Sequence, residues 1–426
     1  MPAQPSIHQP PDREVTKRPV VSVIVPAWNA AATLGRALDS VLEGATVDLE
    51  CVVVDDGSTD GTGAIAEARA AEDDRIVVLR RASNEGVSAA RNQALAIASG
   101  EWLTFLDADD RLLPGGLAAL VAGARMPGVR AVVGQRIWTD GRRRWRSVQY
   151  NIPDIRTSGR RSLASHPGLV QYASVTGKLF HRSVAAGLSF QGRVLGDQPW
   201  CIRALIRAGD GILVVADDVY EWSRPPRGAR TTSITATKYG SARLAAEAAR
   251  VAIGALADVA TEANVSIADA SDRARVVDAY FQRLVRSDLA GPVVRAVSHN
   301  DPGGAELFDA IGAFLDAAPA GLVDGSDAVA AAILRPPLER WRGFRDPARA
   351  AYLRLLQGQL RTHPRLAGRV SRATLIAPAL TVLQRSGSRR AGLFDLLLLL
   401  NWPIAVGFRA VRRGRYAWRA LHARSS

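Results

Sequence analysis

At 426 residues the chain is too long for one ordinary hydrophobic core, and its 47% hydrophobic and 23% charged content excludes a disordered or fibrous protein. Two cysteines, Cys51 and Cys201, are too few for a disulfide scaffold, and both lie in apolar patterns expected of reduced core residues. The net charge of +14 is concentrated in residues 336–426, where eighteen arginines stand against Glu339, Asp346 and Asp395. That asymmetry points to an acidic partner for the tail, a membrane surface or nucleic acid, although arginine outnumbers lysine 52 to 3 throughout and part of the excess is compositional.

In chain order, residues 1–19 are proline-rich and lack the apolar stretch of a signal peptide, so they read as a disordered leader. Strands are then expected over 21–25, 49–54, 75–79, 102–106 and 131–134. Helices are expected over 30–42, 62–71, 87–98 and 113–124. This alternation implies a parallel sheet wound with helices on both faces. Residues 135–235 are less regular. Arg142 to Trp145 and Tyr150 suggest an exposed hairpin or loop, 174–190 and 198–208 read as helical, and 212–215 as a strand. Alanine-rich helices follow, with a boundary expected near residue 238. The segment 393–411 is nearly apolar but broken by Asp395, Asn401 and Pro403, too short to span a bilayer in one piece. With Arg409, Arg412, Arg413, Arg415 and Arg419 behind it, it suits either an interfacial helix on anionic lipid or a last helix packed on the protein.

Chemistry concentrates at the carboxyl ends of the expected strands, where ligands bind in open α/β sheets. Asp107, Asp109 and Asp110 fall within the four positions after the strand expected over 102–106. Carboxylates so close repel unless a cation separates them, and hard oxygen ligands suit Mg²⁺ or Mn²⁺; the other reading is an acidic helix cap. Trp28 and Asn29 follow the first strand, an aromatic for a base with a polar neighbour, or, as the plainer reading, a turn with a packed tryptophan. Asp55 and Asp56 end the second before the tight turn at Gly57. Arg91 lies on the helix opened by Asn84-Glu85-Gly86, on course for a phosphate.

The run PAWN, the turn VVVDDGSTDGT, the helix GVSAARNQAL and the strand GEWLTFLDADD, in this order, resemble the nucleotide-sugar-binding half of family-2 glycosyltransferases with the GT-A fold. The resemblance is strong over 20–133 and weaker to about 235. It implies an α/β, Rossmann-like GT-A domain, mostly parallel with helices on both faces, followed by an α-helical C-terminal region. It also implies that Pro26, Trp28, Asn29, Asp56, Arg91 and Asp107 bind the donor. Asp107 and Asp109 form the family's DxD motif, with Asp110 assisting at the metal. In the second half the family places an acid, often after Glu, at a helix start. Asp197 fits as the general base, with N-capping as its other reading, and Gly196 departs from the pattern. Lys178 resembles a family lysine that meets acceptor or phosphate, though a solvated lysine is the plainer reading. Arg224 and Arg227 lie where a closing loop would bring them to the diphosphate, or are rim residues. The processive motif Gln-x-x-Arg-Trp is missing, which favours single transfer.

The expectation is therefore a metal-dependent, inverting glycosyltransferase acting from a nucleotide-sugar donor, a UDP-sugar first among them, on a glycan or lipid-linked acceptor of the cell envelope. It would be cytoplasmic and peripheral at the inner face of the plasma membrane, with nucleic acid disfavoured as a partner. Its divisions would be a leader (1–19), a catalytic domain (20–237), a helical domain (238–390) and an apolar, basic tail (391–426). The alternative is a non-catalytic nucleotide-sugar-binding or scaffolding protein that keeps the fold; a nucleotidyl- or phosphoryl-transfer enzyme is disfavoured because no Walker pattern is present.

Overall fold

The computed structural model describes residues 6–8, 20–43, 45–146, 152–192, 194–223, 242–289 and 304–318. The elements in order are β1 (Ser6–His8), β2 (Val21–Ala27), α1 (Leu34–Leu42), β3 (Leu49–Asp55), α2 (Thr62–Glu72), β4 (Ile76–Arg80), α3 (Val87–Ile97) and β5 (Trp102–Phe105). Then come β6 (Arg111–Leu112), α4 (Gly116–Ala124), β7 (Ala131–Thr139), β8 (Arg144–Arg146), α5 (Pro153–Arg156), β9 (Gly159–Arg161), β10 (Lys178–His181), α6 (Arg182–Ala185), α7 (Asp197–Ala208) and β11 (Ile212–Ser223). The helices α8 (Ala242–Ser266), α9 (Ala270–Arg283) and α10 (Gly304–Ala317) follow.

One sheet carries the order β1-β4-β3-β2-β5-β10-β7-β11-β6. Strands β4, β3, β2 and β5 are parallel, as are β7 and β11. The near-continuous apolar runs of β2 and β3 are those of strands covered on both faces. Val21, Val23 and Val25 join the core beneath α1, α2 and α4, while Ile24 joins the opposite core with α3 and α7. The α/β GT-A architecture with a helical C-terminal region is thus the observed fold.

Three expectations change. Residues 174–190 are not one helix: Lys178–His181 forms β10, antiparallel between β5 and β7 in the middle of the sheet. Leu179 and Phe180 face opposite cores, so tertiary pairing on both sides overrides the helical spacing. Part of the expected leader is ordered, since Ser6–His8 pairs antiparallel with the edge strand β4; the rest of 1–19 lies outside the described residues. The boundary expected near 238 also lies outside them, but the helices beyond it do not form a separate core. Ala245, Ala249, Tyr280 and Phe314 belong to the same buried cluster as Ile24, Phe105 and Trp200. Polar bonds reinforce the contact. Arg207 Nε meets Glu262 at 2.8 Å, and Gln198 Nε2 donates to Asp288 Oδ1 at 3.1 Å. Both cysteines are buried and unbridged, as expected. The hairpin at Arg142 to Trp145 is present as β7–β8. Among the described residues no helix is long and apolar enough to cross a membrane; the tail 391–426 lies outside them.

Candidate active site

The site grows from the carboxyl ends of β2, β3 and β5. Ala27 and Asp55 are register partners, so the loops beginning at Trp28 and Asp56 lie side by side. They are laced together. Asn29 Oδ1 accepts from Thr59 N at 2.9 Å, Ser58 Oγ from Asn29 N at 2.9 Å, and Thr62 Oγ1 from Ala30 N at 2.7 Å. Asn29 adopts φ 48°, a left-handed conformation that asparagine tolerates better than most residues. Trp28 stands beside this clamp with 43% of its surface exposed, an unusual position for so large an apolar side chain. Pro26 is buried in β2.

Asp56 is buried and reaches the next loop. Its oxygens accept from Glu85 N at 3.1 Å and Gly86 N at 2.7 Å, and Arg81 Nε lies 3.0 Å away. The carboxylate therefore holds the N-terminus of α3. Gly57 is required here: it sits at φ +67°, and a Cβ would fall 2.5 Å from the Ser83 backbone carbon.

Arg91, on α3, ion-pairs with Asp107 at 2.7 Å and is nearly buried. Its expected course toward phosphate thus ends, in this structure, on the first acid of the Asp107-Ala108-Asp109 motif. Asp109 is open to solvent at its tip, yet enough protein surrounds it that burial, and then the charge of Asp107, pushes its carboxyl up to about 6. Asp110 behaves differently. It is buried, and both oxygens are engaged, Oδ2 by the Tyr220 hydroxyl and Oδ1 by Ser223 N, each at 2.7 Å. Burial raises its pKa well above the carboxylate range, with Asp109 and Asp107 adding. The expected trio of metal-holding carboxylates is accordingly not formed. Among the described residues no group of three or more His, Cys, Asp or Glu is placed to hold a metal ion. The remaining pair, Asp107 and Asp109, still fits a cation that takes most of its oxygens from water and substrate phosphates, where one or two carboxylates suffice.

The second half reaches this cleft through aromatic packing. The Arg91 guanidinium lies 5.4 Å from the Phe190 ring, which stacks on Trp200 at 4.9 Å, one turn into α7. Asp197 is the first residue of that helix, half-buried, and no hydrogen bond holds its carboxylate among the described residues. A capping role would occupy that carboxylate, and none is seen. Leu195, two residues earlier, sits at φ 61°, where a branched side chain is strained. The absence of glutamate before Asp197 also has a steric cause. A Cβ on Gly196 would lie 2.4 Å from Ser88 Oγ and 2.5 Å from Gln191 O, so no side chain fits without movement.

Lys178 is not solvated: it is fully buried on β10, donating from Nζ to Ser174 O at 2.7 Å and lying 3.8 Å from the Tyr172 ring centroid. Burial lowers its pKa to about 7, partly offset by Cys201 and Asp197. Arg224 and Arg227 lie outside the described residues. Sequence reasoning missed Tyr220, which accepts from Asp107 N at 3.2 Å while donating to Asp110. Its signal was weak, a lone tyrosine in a segment read as loop.

The open, mostly parallel sheet, with an acidic pair after a central strand, an exposed aromatic and a clamped double-aspartate turn at its carboxyl edge, has the GT-A arrangement. The profile described as Glycosyl transferase family 2 matches residues 22–188. Residues 22–188 thus form a glycosyltransferase family 2 domain. Glycosyltransferase GlyG of Streptococcus pneumoniae is 35% identical over 91 residues, 21% of this chain and 30% of that protein. The GalNAc(5)-diNAcBac-PP-undecaprenol beta-1,3-glucosyltransferase of Campylobacter jejuni is 40% identical over 107 residues, 25% of this chain and 35% of that one. The chain thus spans about a third of the length of these relatives. In fold it resembles S. aureus TarS 1–349 crystallised with UDP-GlcNAc, with a TM-score of 0.60, 19% identity, and coverage of 76% of this chain and 91% of that one.

Proposed function

We propose that the protein is an inverting glycosyltransferase that moves one sugar from a nucleoside diphosphate donor, a UDP-sugar, to a hydroxyl of a glycan or lipid-linked acceptor. The observation that carries this reading is the convergence around the N-terminus of α3. Asp56 binds the amides that open the helix, Arg91 leaves it to meet Asp107, and Ser88 abuts Gly196 beside Asp197. Further support is the UDP-GlcNAc held by the fold relative and the lipid-diphosphate substrate in the name of the Campylobacter relative.

In this reading Trp28 stacks on the base, with Pro26 and Asn29 shaping its loop, and Asp56 fixes the turn against which base and ribose rest. Asp107 and Asp109 are the residues that would hold Mg²⁺ or Mn²⁺. The ion, when bound, supplies positive charge to the departing diphosphate. Asp110 anchors the acidic loop instead of serving as a ligand. Asp197 accepts the proton of the acceptor hydroxyl; that oxygen bonds to the anomeric carbon as the carbon–oxygen bond to the diphosphate breaks. Attack opposite the leaving group inverts the anomeric centre. The enzyme works at the cytoplasmic face of the membrane, where its arginine-rich tail meets anionic lipid.

The test is release of nucleoside diphosphate from a panel of nucleotide sugars with Mn²⁺ and envelope-lipid extract. Release from one donor, abolished by chelation and reduced about 10²–10⁴-fold in Asp197→Ala, is expected. Donor binding without release in the presence of acceptor would instead mark a binding protein.

A further inference from the structure

Strands β8, β7 and β11 lie side by side at the edge of the site, with Trp145 paired to Trp138 and Trp138 to Trp222 in register. The three indoles form one column. Trp138 and Trp222 stack at 4.1 Å and 15°, and Trp138 and Trp145 lie parallel within 3° at 6.5 Å. Behind Trp222 the Arg136 guanidinium sits 5.4 Å from its ring and 4.1 Å from that of Tyr172. The column starts beside the acidic loop, because the amide of Ser223, next to Trp222, is the donor to Asp110. It ends at the surface on Trp145, 37% exposed, on the hairpin whose residues 141–146 are all exposed.

The hairpin's charges divide into two sets. Arg144 and Arg146 pair with Glu221 and Asp218 at 2.6 Å each and so fasten β8 to β11. Arg142 and Arg143, at the tip, pair with no described carboxylate; Asp140 beside them accepts from their backbone amides at 2.9 and 2.8 Å. Trp145, parallel to a Trp138 that itself stacks on Trp222, offers a flat apolar face at little entropic cost. Such a face matches the C–H side of a pyranose, and two guanidiniums with no ion pair among the described residues match phosphate, carboxylate or sulfate groups.

We propose that Trp145, backed by Trp138 and Trp222, and the guanidiniums of Arg142 and Arg143 bind an anionic glycan, and that this glycan is the acceptor. The assignment as acceptor rests on the glycosyltransferase reading above; the glycan site itself does not. The full chain is titrated with short dextran sulfate, neutral dextran of the same length and oligo-dT, following tryptophan emission, with UDP affinity measured in parallel by calorimetry. Dextran sulfate binds roughly tenfold tighter than dextran, Trp145→Ala weakens it about tenfold, and Trp145→Phe restores most of the loss. The pair Arg142→Glu and Arg143→Glu removes the preference for sulfate, and every variant keeps the UDP affinity of the parent. Equal binding of the two dextrans, tighter binding of oligo-dT, or unaltered binding by Trp145→Ala (which would move the affinity to the arginines of 336–426) each overturns the site. If the parent fails to bind UDP but the dextran pattern holds, the donor reading falls and the glycan site stands.

Discussion

The hydroxyl of Tyr220 joins two acids of the same loop, donating to Asp110 Oδ2 at 2.7 Å and accepting from the amide of Asp107 at 3.2 Å. A residue on β11 thereby sets the position of the acidic pair that ends β5. Tyr220→Phe leaves a buried carboxylate oxygen and a backbone amide without this partner. It should cost about 1–3 kcal/mol in thermal or denaturant unfolding and lower nucleoside diphosphate release by more than that loss of folded protein explains.

Lys178 predicts a pH dependence. Its pKa falls from 10.5 to about 7 on folding, so between those values the unfolded chain binds the proton that the folded one sheds. Stability from this group therefore rises as pH increases from about 7 toward 10, and the full cost of burying the charge is felt below 7. Lys178→Met should raise the melting temperature at pH 6 relative to the parent and show a smaller advantage at pH 9. An equal shift at both values would show that the amine is not buried with a lowered pKa.

Gly196 offers a paired test. Gly196→Ala pushes a methyl against Ser88 Oγ and Gln191 O and should destabilise by about 1–3 kcal/mol, displacing Asp197 and cutting turnover. Ser88→Gly in the same chain removes the nearer obstacle and should recover part of both losses. Independent, additive effects would mean that the two residues do not touch.

The helices after β11 complete the core instead of decorating it. Ala245, Ala249 and Ala252 are wholly buried and share a cluster with Trp200 and Leu205 of α7. A chain ending at residue 241 should consequently aggregate or bind an apolar dye in size-exclusion and fluorescence assays, whereas one ending at 318 should elute as a folded species.

The strand ends were readable in the sequence because β2 to β5 combine apolar runs with short, polar punctuation. What escaped was non-local. Lys178–His181 is four residues long, and only pairing with β5 and β7 makes it a strand. Strand β11 was read as 212–215 because irregular pairing between Val214 and Tyr220 breaks its alternation, and the segment carrying Tyr220 and Trp222 then passed for a loop. Arg91 was aimed at phosphate because helix position alone cannot show that Asp107 sits nearer. Lysine occurs three times in 426 residues, and Lys178 stands directly before Leu179 and Phe180, a weak trace of the buried amine.

The central place of β10 also constrains how the chain can assemble. Among the described strands, the half of the sheet built from β2 to β5 joins the half built from β7 and β11 only through Lys178–His181. Strand β7, finished by residue 139, has no route to β5 until the ribosome has delivered residue 181, and its parallel partner β11 arrives later still. Closing such long loops before any contact rewards them makes the joining of the two halves the slow step of folding. The edge built from β2 to β5 can therefore form first, and the acidic loop is locked by Tyr220 only at the end.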